Sequence, residues 1–268
     1  MVKCVLTGWN GFIAQNLEKT LKGSEFSVLG MPRDILYDFR KITEFFNYNK
    51  PDFIIHTAAY GNKYSQDNDF ETIYANIIGL ANLLEMTRNI DYQGFINFSS
   101  SSVMLSHETF YSATKASGER IVRAFVNKYN KPVFSVRPFT VIGKGEQEEH
   151  LIPRLIKSCQ LGIEIPFVSN PVHDFIGVKD LCEAVLCLMQ YADKLKGQII
   201  DIGSGECISN KKIKEIVEKI THKKANIKEV ESLRPYDTKK WVSNIEVLSF
   251  LGWKPKQTIE DIILEMIG

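Results

Sequence analysis

The sequence lacks several features that would assign it to a class at once. It has only five cysteines, Cys4, Cys159, Cys182, Cys187 and Cys207, and no C-x-x-C pair. An odd count without that spacing argues against a disulfide framework and against a zinc site, and for a reducing compartment. No metal is expected. An excess of one charge is also missing: 33 Lys and Arg face 32 Asp and Glu, for a net charge of +1. Proteins that ride on a nucleic-acid backbone show a basic excess, so no nucleic-acid partner is expected. The densest basic cluster, Lys211-Lys212-Ile213-Lys214, is interrupted and followed by Glu215, too little for a membrane-surface patch. No apolar run approaches the ~18 residues of a membrane span, and no signal-peptide core precedes residues 2–7. At 44% hydrophobic and 24% charged, the 268 residues are also not a disordered chain. A cytoplasmic globular enzyme fits these exclusions.

What is present is alternation. Residues 2–7, 26–29, 52–57, 95–99 and 133–137 read as strands. Residues 12–21, 42–48, 70–88 and 111–129 read as helices, the third with Ile73, Ile77, Leu80 and Leu84 as one apolar stripe. Strand–helix alternation at this spacing predicts an α/β fold, a parallel sheet with helices on both faces. The second half is less regular. Helices are expected over 151–161, 178–191, 211–221 and 259–267, with a short one ending within 248–252, and strands over 198–201 and 225–229. No repeat, low-complexity tract or linker separates the halves.

Between the first strand and first helix stands Thr7-Gly8-Trp9-Asn10-Gly11-Phe12-Ile13-Ala14. Gly8 permits a tight turn, Gly11 lets the backbone approach a phosphate, and Ala14 allows close helix–strand packing. The helix start then offers free N–H groups to a pyrophosphate. Thr7, Gly8, Asn10, Gly11, Phe12 and Ile13 are the candidate dinucleotide contacts. The end of the second strand decides which dinucleotide, since an acid there binds the ribose 2′-OH of NAD and a base favours the 2′-phosphate of NADP. Gly30 stands where the acid would, and Arg33 is the first charge. NADP(H) is therefore preferred and NAD(H) left open. Arg33 has two other readings, a solvated loop residue or a partner of Asp34.

Tyr111 and Lys115 are four residues apart at a helix start, so they share a face one turn apart. A free tyrosine titrates near ~10. A neighbouring ammonium would lower that value and make the phenol a usable proton donor. Just upstream, Phe98-Ser99-Ser100-Ser101-Ser102-Val103 leaves a strand and supplies hydroxyls to orient a carbonyl.

These motifs, with His56-Thr57-Ala58-Ala59, Asn76 and Arg137-Pro138-Phe139-Thr140, occur in the order of the extended short-chain dehydrogenase/reductases, the NAD(P)-dependent epimerase/dehydratase family, which the chain resembles. The resemblance continues in His173-Asp174-Phe175-Ile176-Gly177, in Arg234-Pro235-Tyr236-Asp237 and in Leu251-Gly252-Trp253-Lys254-Pro255, so it covers essentially the whole chain. It implies a Rossmann-type doubly wound parallel sheet with a small C-terminal substrate-binding lobe. Residues 1–150 would form the dinucleotide-binding domain, with 171–203 returning to it, and 151–268 mainly the substrate lobe. It implies Ser100, Tyr111 and Lys115 as the catalytic set, with Ser101 as the fallback serine. Arg33, Asp38, Ala58, Ala59, Tyr60, Asn76, Phe98, Ser99, Pro138 and Phe139 join the cofactor contacts, as do Tyr111 and Lys115.

The substrate implied is a nucleotide-diphosphate sugar, touched by Ser100, Ser101, Ser102, Thr140, His150, His173, Arg234 and Asp237. The dehydratases carry Asp-Glu after the catalytic threonine. Ser101 and Ser102 here cannot act as that acid–base pair. The chain resembles the 4-ketoreductases, such as GDP-fucose synthases and CDP-abequose synthases, in its Arg-Asp after the second strand, in His150-Leu151-Ile152-Pro153 and in His56-Thr57-Ala58-Ala59-Tyr60-Gly61. The reading is NADPH-dependent reduction of a 4-keto nucleotide-linked deoxysugar. An NAD-retaining 4-epimerase is the alternative, and a non-catalytic NADP-binding regulator a remote one. Two departures stand out. His173 replaces the usual diphosphate-gripping arginine, with Arg234, Arg154 and Lys157 as substitutes, and the segment before Asp38 is too short for the family's usual helix. The family implies a homodimer through the helices near 70–88 and 111–129. Val122, Phe125 and Val126 would line that interface or belong to the core.

Overall fold

The computed structural model describes residues 1–63, 65–231 and 241–268. In chain order the first elements are β1 (Lys3–Thr7), α1 (Phe12–Gly23), β2 (Ser27–Met31), a 3-10 turn (Arg33–Tyr37), α2 (Phe39–Asn49) and β3 (Phe53–His56). Then come α3 (Asp69–Ile73), a π-helical segment (Tyr74–Ile78), α4 (Gly79–Thr87), β4 (Gly94–Phe98), a 3-10 turn (Ser101–Met104), α5 (Phe110–Tyr129) and β5 (Val133–Pro138). The remainder holds β6 (Thr140–Ile142), α6 (Leu151–Leu161), β7 (Ile165–Phe167), β8 (Val172–His173), β9 (Phe175–Gly177) and α7 (Val178–Met189). It closes with β10 (Ile199–Ile202), β11 (Ile208–Ser209), α8 (Asn210–Thr221), β12 (Ile227–Glu229), α9 (Glu246–Phe250) and α10 (Ile259–Ile267). Contacts divide the chain into two compact units. One comprises Met1–Met104, Glu108–Pro138 and Cys182–Ile200, the other Leu105–His107, Phe139–Leu181 and Asp201–Gly268.

The first unit carries a six-stranded sheet in the order β10-β5-β4-β3-β1-β2. From β2 to β5 the registers are parallel, with Thr7 opposite both Met31 and His56. The chain steps from β1 to β2 on one side and returns to β3 on the other. That makes β1/β3 the switch point where ligands of such sheets bind. Short apolar runs such as Phe53-Ile54-Ile55 are buried along their whole length, as strands covered on both faces must be. This is a Rossmann-type α/β fold. Between β2 and α2 stands only the five-residue 3-10 turn, and Asp38 caps α2 by accepting from the Arg40 and Lys41 N–H groups. α5 opens with a reciprocal cap between Thr109 and Ser112.

One expectation needs correction here, and one open alternative is decided. The helix over 70–88 is not one regular α-helix, because the π segment inserts a wider turn at Tyr74–Ile78. That shifts the phase, so Ile73 faces solvent while Leu80 and Leu84 are buried, and the expected stripe is broken. Val122, Phe125 and Val126 are core. They pack with Leu80, Leu84 and Phe95 and are not available to an interface.

The second unit has its own core, including Ile142, Leu155, Phe167, Phe175, Val217 and Ile263. Three two-stranded pairs, β6–β9, β8–β11 and β7–β12, frame it. Strands this short give too little alternation to be read from sequence, and only β12 lies within an expected strand. No helix among the described residues is long and apolar enough to cross a membrane.

Candidate active site

The glycine turn sits at the switch point. Gly8 has φ +67°, and a Cβ there would stand 2.7 Å from the Ala58 nitrogen and 2.8 Å from its Cα, both backbone atoms. Only glycine fits both demands. Three side chains hold this contact. The Thr57 hydroxyl donates to the Thr7 carbonyl at 2.7 Å, and the Thr7 hydroxyl accepts from the Ala58 N–H at 3.3 Å. The Thr7 hydroxyl also shares a 2.8 Å hydrogen bond with His56 Nδ1. His56 is neutral there. Burial and the Lys115 charge lower its pKa to about 3. Asn76 lies in the π segment and clamps the same stretch. Its Oδ1 accepts from the Tyr60 N–H and its Nδ2 donates to the Tyr60 carbonyl and to the Thr114 hydroxyl, each at 2.9 Å.

Gly11 is the N-cap of α1, without a side-chain cap and without an acid in the first turn. The N–H groups at Phe12 and Ile13 therefore open a helix end that suits a pyrophosphate, so the residues present fit a dinucleotide. Asn10 lies in the turn, where its carbonyl accepts from Gln15 at 3.3 Å. Arg33 opens the 3-10 turn. Its ion pair is with Glu71 at 3.3 Å rather than with Asp34, which pairs with Lys41. Ala59 follows Ala58 in the clamped stretch, and Pro138 ends β5.

The serine run leaves β4 with three different fates. Ser99 and Ser101 are buried. The Ser99 hydroxyl donates to Glu119 Oε1 at 2.6 Å, which turns it inward. Ser100 is half-buried, accepts from the Ser102 N–H at 3.1 Å and shares a 2.9 Å hydrogen bond with the Ser102 hydroxyl. Its hydroxyl lies near enough to the Tyr111 phenol to pull that phenol's pKa down. Ser100, Tyr111 and Lys115 are thus brought together. Lys115 is buried, with Nζ 5.8 Å from the Tyr111 ring centre and donating to the Phe98 carbonyl at 2.7 Å.

The expected direction of the tyrosine's pKa is corrected here. Burial raises the Tyr111 phenol to about 12, against the smaller downward pull of the Ser100 hydrogen bond. The lysine does not reverse this, because its own ammonium is penalised by burial to about 8, with the Glu119 charge pulling back up. Such a site holds a protonated phenol beside a hydroxyl donor and a cation, the set needed to give a proton to a developing alkoxide.

Behind the cluster, Glu119 takes both prongs of Arg137 at 2.7 and 2.8 Å. Neither residue was among the sequence candidates. The available signal was Glu119 at four and eight residues from Lys115 and Tyr111, on one helix face. Trp9 was missed as well. Its ring covers Gly30, where a Cβ would lie 2.7 Å from it.

In the second unit, the Phe139 N–H donates to the Ile202 carbonyl and the Thr140 N–H to the Asp174 carbonyl. The His173 ring packs against Phe175 and Trp241. Next to it, the fully buried Asp174 carboxylate accepts from the N–H and hydroxyl of Ser204 and of Ser243 and from the Gly205 N–H. His150 pairs with Glu146 at 2.9 Å, and burial raises the Glu146 carboxyl. Arg234 and Asp237 lie outside the described residues. Among the described residues no cluster of His, Cys, Asp or Glu is placed to hold a metal ion.

The model of the NAD dependent epimerase/dehydratase family matches residues 4–203. Protein CapI of Staphylococcus aureus is 26% identical, with 97% of this chain and 96% of that protein aligned. GDP-6-deoxy-D-talose 4-dehydrogenase of Aggregatibacter actinomycetemcomitans is 29% identical over 88% of this chain and 86% of its own length. Among solved structures, a UDP-glucose 4-epimerase of Thermotoga maritima, with UDP-glucose, superimposes with a TM-score of 0.88 at 19% identity, covering 99% of this chain and 97% of that one.

Proposed function

The chain belongs to the NAD dependent epimerase/dehydratase family, enzymes of the oxidoreductase type, and on that premise we propose that it reduces the 4-keto group of a nucleotide-linked deoxysugar with NADPH. The observation that carries this reading is the meeting of Ser100, Tyr111 and Lys115 at the end of β4. When bound, the nicotinamide supplies the hydride that reaches the carbonyl carbon. The Ser100 hydroxyl holds the carbonyl oxygen, and the Tyr111 phenol, kept protonated by burial, gives that oxygen its proton. Lys115 sits close enough for its charge to stabilise the phenolate left behind. The open start of α1 and the Gly8 turn hold the pyrophosphate, and Arg33 supports the choice of a 2′-phosphorylated cofactor. Thr140, His150 and His173 are the proposed sugar-nucleotide contacts, with Arg234 and Asp237 for the diphosphate.

The test is Tyr111→Phe assayed with a nucleotide-linked 4-keto sugar. Turnover is expected to fall by at least ~100-fold while NADPH affinity persists. Reduction at the parent rate would overturn the assignment. The same three side chains also serve a 4-epimerase that oxidises and then re-reduces its sugar, a reading supported by the epimerases among the chain's relatives. The nucleotide carried by the purified protein separates the two: tightly retained NAD favours the epimerase, freely exchanging NADPH the reductase.

A further inference from the structure

Gly30 sits one residue before the end of β2, opposite Leu6 in β1. Its backbone is not in the left-handed region, so nothing in its own conformation calls for glycine. What forbids a side chain is Trp9. A Cβ at position 30 would stand 2.7 Å from both Cγ and Cδ2 of the indole and 3.2 Å from the Trp9 Cβ. Trp9 follows directly on Gly8, in the β1–α1 turn, and the residue is 42% exposed. The indole therefore occupies the place from which a strand-end carboxylate would reach a ribose.

The nearest charges beyond it are set for exchange. Arg33 pairs with Glu71, in an ion pair whose side chains are 66% and 40% exposed, and also neighbours the Tyr37 phenol, while Asp34 pairs with Lys41 in a similarly exposed one. Pairs this exposed are weak and readily give way to a doubly charged phosphate. We propose that Trp9 is a specificity-determining residue: by filling the space over Gly30 it keeps a carboxylate out and leaves Arg33 to select a cofactor with a 2′-phosphate. The inference rests on reading the Gly8–Gly11 turn as a nicotinamide dinucleotide site.

The test is binding, measured by nucleotide fluorescence titration of NADPH and NADH against the whole chain, with thermal melts to verify folding. The parent is expected to bind NADPH at least ~10-fold more tightly than NADH. Trp9→Ala with Gly30→Asp, which opens the space and fills it with the acid, is expected to swing the ratio at least ~10-fold toward NADH. Gly30→Asp alone, which must displace the indole, is expected to weaken both nucleotides. Arg33→Ala is an independent arm that leaves Trp9 and Gly30 as they are; it is expected to weaken NADPH ~10-fold and leave NADH unchanged. If NADPH is preferred and the folded double variant keeps the parent ratio, the role of Trp9 is overturned and the dinucleotide site stands. A parent that prefers NADH, or an Arg33→Ala variant with an unchanged ratio, likewise overturns the inference alone. If neither nucleotide binds the parent, the reading of the turn fails with it.

Discussion

Glu119 grips Arg137 with both carboxylate oxygens, Nε to Oε1 at 2.7 Å and Nη2 to Oε2 at 2.8 Å, and the glutamate is 4% exposed. The pair joins α5 to β5, and Oε1 also accepts the Ser99 hydroxyl. It therefore ties the helix carrying Tyr111 and Lys115 to the strand ends where the serines emerge. Removing one partner strips the other of its bidentate counter-charge in a largely buried place, a loss of up to about 3–5 kcal/mol. Glu119→Gln and Arg137→Met are each expected to lose stability on that scale in urea unfolding. The double variant Glu119→Leu with Arg137→Met should recover part of it, because both members of the pair are gone while Lys115 and the Ser99 hydroxyl still lose Glu119. Single variants within ~1 kcal/mol of the parent would show that the pair does not hold these elements together.

The buried lysine carries the opposite expectation. In the folded chain Lys115 titrates at about 8 against 10.5 when free, so folding disfavours its charged form. The sign follows directly. The folded state binds fewer protons between those values, and stability rises as pH climbs from about 8 toward 10.5. At neutral pH the charge costs roughly 3–4 kcal/mol at ~1.4 kcal/mol per pKa unit. Lys115→Met should therefore melt no lower than the parent at pH 7 and lose the alkaline rise, while losing turnover. A variant that is clearly less stable at pH 7 would mean that the ammonium contributes to folding.

The strand–helix alternation, the glycine turn and the Tyr111–Lys115 spacing were legible in the sequence because each depends on neighbours a few residues apart. What was not legible depends on partners far along the chain. The helix over 70–88 read as regular because a π turn leaves no local signature, and Ile73 then turned to solvent. A cation four residues from Tyr111 suggested a lowered phenol. Lys115 instead spends its bond on Phe98, and burial outweighs it. The Glu119–Arg137 pair needs a helix and a strand to meet, and Trp9 over Gly30 needs the β1–α1 turn to fold over the end of β2. Neither contact leaves more in the sequence than an ordinary charge or an aromatic in a glycine turn.

His56 ties acid stability to the cofactor turn. Its folded pKa is about 3 against 6.5 when free, because burial and the Lys115 charge both oppose protonation. The unfolded chain thus binds the extra proton first, and stability falls as pH drops from 6.5 toward about 3. The slope attributable to this one group is at most ~1.4 kcal/mol per pH unit. His56→Gln should lack that slope in urea midpoints taken from pH 7 to 4. If the parent and the variant lose stability in parallel, other groups govern the acid limb.

Two glycines in the same βα unit provide a controlled comparison. At Gly8 a methyl group would meet backbone atoms of Ala58 at 2.7 and 2.8 Å, and φ is +67°, so neither the space nor the conformation can yield. At Gly23, the last residue of α1, no described residue lies within 4 Å of an added Cβ and φ is not positive. Gly8→Ala is expected to cost at least ~2 kcal/mol, from overpacking and left-handed strain together. It should also weaken dinucleotide binding, because the clash pushes the turn away from Ala58. Gly23→Ala should be neutral or stabilise by up to ~1 kcal/mol through the unfolded chain's lost freedom. Thermal melts with and without NADPH read both effects. Equal stability of the two variants would mean that the β1–β3 contact is loose enough to absorb a methyl group, and the close approach could then not be what positions the turn.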